Sequence, residues 1–134
     1  MLYLFTYGTL MIKHSNPYAK LLRTEARYIG EAYVMGRLAD LGDYPGLLVP
    51  TTASDRVMGD LFQLPDEPSL LLTQLDEYEG VSIPPHPADE YVRGPIVAYG
   101  QSKAYVALTY FYNRPLQTKS SRSALIVKRN RWKL

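Results

Sequence analysis

With 134 residues, 46% of them apolar, the chain is long enough to bury one sizeable core and too short for two, so one globular domain followed by a tail is expected. The absence of cysteine excludes disulfides, thiolate nucleophiles and cysteine-ligated zinc or iron–sulfur centres; His14 and His86 stand far apart without neighbouring ligand types, so neither a metal nor a cofactor is expected. Residues 1–90 carry six basic and thirteen acidic side chains, a charge of −7, whereas residues 91–134 carry nine basic and no acidic ones, a charge of +9; such asymmetry suits either a nucleic-acid footprint or a solvated strand face and tail.

The N-terminal "MLYLFTYGTL" lacks the basic start and long apolar segment of a secretory signal, and no apolar run is long enough to span a bilayer, so a soluble cytoplasmic protein is expected. Within it "LYLFTY" reads as a buried strand that stops at Gly8, making Tyr7-Gly8-Thr9-Leu10 a strand-to-loop junction. "NPYAKLLRTEARYIG" reads as a short helix capped by Asn16, with Pro17 in its first turn and an end near Arg27. Residues 26–41, "ARYIGEAYVMGRLADL", read as one long or bulged strand punctuated by Gly30 and Gly36. "GDYPGLLVP" predicts a turn on Pro45-Gly46 opening a short strand over Leu47–Val49, and "RVMGDLFQL" a further strand.

"PDEPSLLLTQLDEYEG" has the clearest helix signature, over 66–79, with Asp66 as N-cap, Glu67 and Pro68 in the first turn and Gly80 where a left-handed terminal residue is wanted. The three prolines of "VSIPPHPAD" dictate a loop, in which His86 is expected at the surface. "EYVRGPIVAYG" and "KAYVALTYFYN" form two strands of a hairpin. After Pro115 the chain turns polar, Ser-rich and basic, which divides it into a domain over 1–115 and a basic tail over 116–134.

The end of the 66–79 helix carries an anomaly. Leu71, Leu75 and Tyr78 recur at core-facing spacing, and Glu79, four residues after Leu75, projects along the same side. Burial and the negative end of the helix dipole both raise the pKa of a carboxylate placed there, as a general acid/base near neutral pH requires. An ion pair with a strand arginine such as Arg93 is the competing expectation. Glu77 should face solvent, and Asp76 should accept from a loop or strand amide. The twelve tyrosines are either half-buried strand residues or the wall of a pocket that is apolar in body and hydrogen-bonding at its tips.

"YGTL" after an N-terminal strand, "YPGL" at 44–47, "VMGDLFQL", "LDEYEG" and "YVR" form an ordered set that resembles the gamma-glutamylcyclotransferase-like family over residues 2–113. The resemblance implies an α+β fold, a mixed β-barrel with flanking short helices, and an enzyme that cyclises a gamma-glutamyl group to 5-oxoproline with release of an amine or amino acid. It implies that Glu79, directly before the final glycine of the acidic stretch, is the catalytic acid/base. It implies that Tyr7, Gly8, Thr9 and Leu10 bind the gamma-glutamyl carboxylate and amine through backbone groups, and that Tyr110, or its near neighbour Tyr112, lines the pocket. Tyr44 is placed at the pocket mouth and Tyr91 in the core. The expected partner is thus a small gamma-glutamyl substrate, with no membrane. Two alternatives remain: a non-catalytic binding module of the same fold, and nucleic-acid contact through "KSSRSALIVKRNRWKL", with Trp132 as its stacking residue. A solvated or subunit-docking tail, the latter compatible with a homodimer, is preferred to that contact.

Overall fold

The computed structural model describes residues 1–115, 125–126 and 132. Its elements in chain order are β1 (Tyr3–Thr6), α1 (Pro17–Glu25), β2 (Arg27–Met35), β3 (Arg37–Asp40), β4 (Pro45–Leu48), β5 (Arg56–Gln63), α2 (Ser69–Glu79), β6 (Tyr91–Tyr99), β7 (Ala104–Tyr112) and β8 (Leu125–Ile126). Strand neighbours run β1-β5-β2-β6-β7, and a parallel pairing of β1 with β7, Leu4 opposite Leu108, closes these five into a barrel. β4 joins β7 in parallel at Leu47 and Phe111, and β3 and β8 extend the sheet beyond it by antiparallel pairing. The expected mixed β-barrel with two short helices is therefore the fold.

Alternation along β1 divides the core. Phe5 and Tyr7 join Ala32, Val34, Val57, Leu61, Ala98 and Ala107, contributed by the other four barrel strands, in the cluster that fills the barrel. Leu4 joins Phe62 and Tyr110 from the outer faces with Leu22 of α1 and Leu71, Leu72 and Leu75 of α2. Both helices thus lie on one side of the barrel, and Tyr18 of α1 stacks on Tyr78 of α2 with ring centroids 4.5 Å apart. No described helix is long and apolar enough to cross a membrane.

Several boundaries differ from expectation. α2 begins at Ser69 rather than Asp66: Pro68 is its N-cap, the carbonyl of Pro68 accepts from Leu72, and no side chain caps the end. Residues 26–41 form two strands, broken at Gly36, with a register shift between Tyr28 and Gly30. The turn before β4 lies at 41–44, where Gly42 takes a φ of 106°, and Pro45 and Gly46 belong to the strand itself. Proline is tolerated there as the first strand residue. α1 follows expectation closely: Asn16 Oδ1 accepts from the Ala19 N–H at 2.8 Å and Pro17 opens the helix.

Of the tail expected over 116–134, only β8 and Trp132 belong to the described residues. Trp132 is 5% exposed and packs in the barrel cluster, so its ring is not displayed as a stacking platform.

Candidate active site

The C-terminal end of β1 runs into a turn, closed by the Met11 N–H on the Gly8 carbonyl, that forms one wall of a pocket with a cavity volume of about 180 Å³. Side-chain bonds fix this turn from outside. Asn16 Nδ2, at the start of α1, donates to the Thr9 carbonyl at 2.7 Å, and Asp60 Oδ2 of β5 accepts from the Ile12 N–H at 2.8 Å. Thr9 Oγ1 pairs with the Tyr78 hydroxyl at 2.8 Å, which ties the turn to the last turn of α2. Gly8 is required by contact rather than by backbone angle, because a Cβ there would lie 2.9 Å from Pro45 Cγ. No acceptor among the described residues takes the N–H groups of Gly8, Thr9 and Leu10.

The opposite wall comes from the end of α2 and the strand starts beyond it. Gly80 ends the helix with φ 71°, and the Val81 N–H returns to the Asp76 carbonyl at 2.8 Å. The proline loop that follows is organised by Asp89, whose carboxylate accepts from the N–H groups of Ser82 and His86; His86 is exposed, as expected. The loop delivers Glu90 to the pocket, where the Asn113 N–H binds its carbonyl at 2.8 Å and extends the β6–β7 ladder by one residue.

Glu79, Tyr7, Gly8, Thr9, Leu10, Tyr44 and Tyr110, distant in sequence, all line this one pocket. Of the two candidate tyrosines on β7 it is Tyr110 that faces it; Tyr112 packs edge-on against Tyr91 instead. Sequence reasoning missed Tyr78 and Glu90, which also line it, and treated Tyr91 as core alone, whereas Tyr91 is both buried and part of the wall. Adjacency was the available signal: Tyr78 precedes Glu79, and Glu90 is the last acidic residue, directly before "YVR".

The ion pair expected as the alternative role of Glu79 is made elsewhere. Arg93 of β6 pairs with Asp76, one turn earlier on α2, and Asp76 also accepts from the Tyr110 hydroxyl at 2.8 Å. Asp76 therefore takes two strand side chains rather than the amide expected for it. Each pocket phenol is likewise committed. Tyr7 donates to the Tyr110 carbonyl and accepts from the Leu47 N–H, Tyr91 donates to the Pro45 carbonyl, and Tyr44 donates to Glu90 Oε2 at 2.6 Å. Burial first of all pushes the phenols of Tyr7, Tyr91 and Tyr110 well above the usual tyrosine range, so they remain neutral. The hydrogen bond to Glu90 is the main cause that pushes Tyr44 up to about 12.

Among the described acidic and phenolic groups of the pocket, the half-buried Glu79 alone has no hydrogen-bond or ion-pair partner. Its pKa is pushed up to about 8, chiefly by burial and further by the negative charges of Glu90 and Asp76. The arrangement offers a carboxyl that gains and loses a proton near neutrality, opposite a turn with open N–H donors, in a phenol-lined cavity.

A family model described as "Gamma-glutamyl cyclotransferase, AIG2-like" matches residues 4–134. Among solved structures, YkqA from Bacillus subtilis superimposes with a TM-score of 0.70 at 20% identity, over 97% of this chain and 39% of that one; the chain thus spans about two fifths of the length of YkqA. An AIG2-like protein from Mus musculus matches with a TM-score of 0.67 at 17% identity, over 98% of this chain and 87% of that one. A structure described as "Gamma-glutamyl cyclotransferase" matches with a TM-score of 0.56 at 16% identity, over 83% and 66% of the two chains. A comparison with curated proteins returned no match. At these identities the structural likenesses speak for the fold.

Proposed function

The chain belongs to the gamma-glutamyl cyclotransferase, AIG2-like family, and from that premise we propose that it converts a gamma-glutamyl conjugate into 5-oxoproline and a free amine or amino acid, with Glu79 as the general acid/base. The observation that carries this reading is the Glu79 carboxyl, left without a partner in a pocket where the other acids and phenols are all engaged, with a pKa of about 8. A pure binding module has no use for a carboxyl so destabilised in its ionised form.

The substrate's α-carboxylate lies against the open N–H groups of the Gly8–Leu10 turn, and its γ-carbonyl is brought beside Glu79. Glu79 takes a proton from the substrate's α-ammonium. The freed amine nitrogen attacks the γ-carbonyl carbon, the new C–N bond closes a five-membered ring, and the original γ-amide C–N bond breaks. The proton held by Glu79 passes to the departing nitrogen, the second proton that the ring nitrogen sheds on becoming a lactam follows by way of the same carboxylate, and the amine leaves as its ammonium, so no water is consumed and the enzyme ends as it began. The nucleophile belongs to the substrate, so the chain needs neither cysteine nor a cofactor for this step. Holding the gamma-glutamyl chain folded, which the turn and the rings of Tyr7, Tyr91 and Tyr110 do, makes a reactive encounter out of an otherwise floppy chain.

The test is 5-oxoproline release from a panel of gamma-glutamyl amino acids and amines by the native protein and by Glu79→Gln. Turnover on any member, lowered at least about 100-fold in the variant as expected for removal of a general acid/base, supports the reading. A broad panel left untouched by the native protein, or equal turnover by the variant, rules it out.

A further inference from the structure

Beside the turn over residues 8–14 lies a second polar cluster, which the proposed chemistry does not use. Its centre is Asp60 of β5, 6% exposed, whose Oδ2 accepts from the Ile12 N–H at 2.8 Å and whose Oδ1 accepts from the Tyr28 hydroxyl of β2 at 3.1 Å. Thr6 of β1, 4% exposed, stands opposite Asp60 in the β1–β5 ladder and therefore on the same face of the sheet. His14 closes the turn. Its N–H donates to the Met11 carbonyl at 3.0 Å, and its own carbonyl accepts from Arg23 Nη1 of α1 at 2.6 Å. Two buried polar atoms of this cluster, Thr6 Oγ1 and His14 Nε2, find no hydrogen-bond partner among the described residues. An orphaned imidazole nitrogen costs far less neutral than protonated and charged.

The charges around the ring act in the same direction. Lys13, its chain neighbour, and the Arg23 guanidinium of α1 are positive; Asp60 of β5 is negative, but both its oxygens are already engaged; β1 and β2 present the uncharged Thr6 and Tyr28. Burial first, then the charge of Lys13, holds the His14 pKa below the usual 6.5, and the attraction of Asp60 offsets this only in part.

We propose that His14 is a positioning residue for this turn: neutral, it completes the turn that Asp60 holds through Ile12, and protonated, it leaves its seat for solvent and releases that hold. Because the unfolded chain takes up the proton before the native seat does, the stability that His14 lends the turn is complete above about pH 6.5 and is lost as the pH falls below it. The N–H groups of Gly8, Thr9 and Leu10 lose their common orientation with it, so acidification unseats an anionic substrate group by a route separate from Glu79. That consequence for substrate rests on the cyclotransferase reading; the switch itself does not.

NMR of the free, full-length protein between pH 7.5 and pH 5 tests it without substrate. The Ile12 amide signal should shift with one inflection below pH 6.5, at the same midpoint as the His14 ring, which is told from the only other histidine by the variant His86→Gln. Its protection against hydrogen exchange, corrected for the intrinsic rate, should fall at least about threefold over the same range. His14→Gln should abolish both changes, and His86→Gln should leave both in place. If His14→Gln does not fold, the agreement of the Ile12 and His14 midpoints in the native protein decides. An Ile12 signal that stays flat, a midpoint different from that of the His14 ring, or a change that survives in His14→Gln overturns the inference. None of these outcomes bears on 5-oxoproline release, so the switch and the cyclotransferase reading fail separately.

Discussion

Glu79 sits in the last turn of α2, where the helix carbonyls present their negative end and where Glu90 and Asp76 add charge of the same sign. Its carboxyl ionises near pH 4.5 in the unfolded chain and near 8 in the folded one, so across that interval the folded state binds more protons. Folding stability therefore carries no penalty from Glu79 below about pH 4.5 and loses ground progressively as the pH rises towards 8. Glu79→Gln removes the ionisation while keeping the shape. The variant should be more stable than the native protein by a margin that widens between pH 5 and pH 8, measured as denaturation midpoints; a margin independent of pH would contradict the assignment. Glu90 is a second lever on the same group. Glu90→Gln removes one of the charges that hold the Glu79 pKa up, so the rising limb of kcat/KM against pH should move to lower pH, and a limb that stays in place would show that Glu90 does not act on Glu79.

α2 positions Glu79 through a neighbour that does no chemistry. Asp76 is 6% exposed and holds both the Arg93 guanidinium and the Tyr110 hydroxyl, which ties the helix end to β6 and β7. Arg93→Met should cost about 1.5–3 kcal/mol of stability, read from urea midpoints, because it strips a charged partner from a buried carboxylate. The strand side has its own constraint at Gly59, where a Cβ would lie 2.1 Å from the Thr6 carbonyl oxygen and 2.7 Å from Phe5 Cζ. Gly59→Ala should destabilise by about 3 kcal/mol, because the Thr6 carbonyl belongs to a paired strand and cannot move aside. These elements also show how far local signals carry. The Asn16 cap, the Gly80 stop and the β6–β7 hairpin were legible because each depends on a few adjacent residues. The start of α2 was not, since Asp66 looks as good a cap as any in sequence while the chain turns into the helix only after Pro68. The Pro45-Gly46 dipeptide carries a turn signature, but pairing with β3 and β7 draws it into a strand.

At the scale of the molecule, barrel closure is what makes the pocket. β1 lies between antiparallel β5 and parallel β7, and this brings residues 5–10 against Tyr110, with Tyr44, Glu79 and Glu90 completing the wall. Nothing in local periodicity announces a pairing across more than 100 residues. The resemblance of ordered motifs pointed to Tyr7, Gly8, Thr9, Leu10 and Glu79, whereas Glu90 and Tyr78 emerge only once the loop over 81–90 and the Tyr18 stack are in place. Leu4 is fully buried between the barrel and the helices, so Leu4→Ala should cost about 2–5 kcal/mol and leave a cavity at the closing seam. Hydrogen exchange at the Leu4 and Phe5 amides should accelerate with it; unchanged protection would mean that closure does not depend on this packing.

The claim on which the rest stands is that Glu79 holds its proton into the neutral range. Following its side-chain carboxyl by carbon-13 NMR from pH 4 to pH 10, with the signal assigned by its absence in Glu79→Gln, measures this in the free protein. A midpoint near 8 is what the account predicts. A midpoint near 4.5 would mean a carboxylate ionised like any on the surface, unable to act as a neutral-range acid/base, and would contradict it.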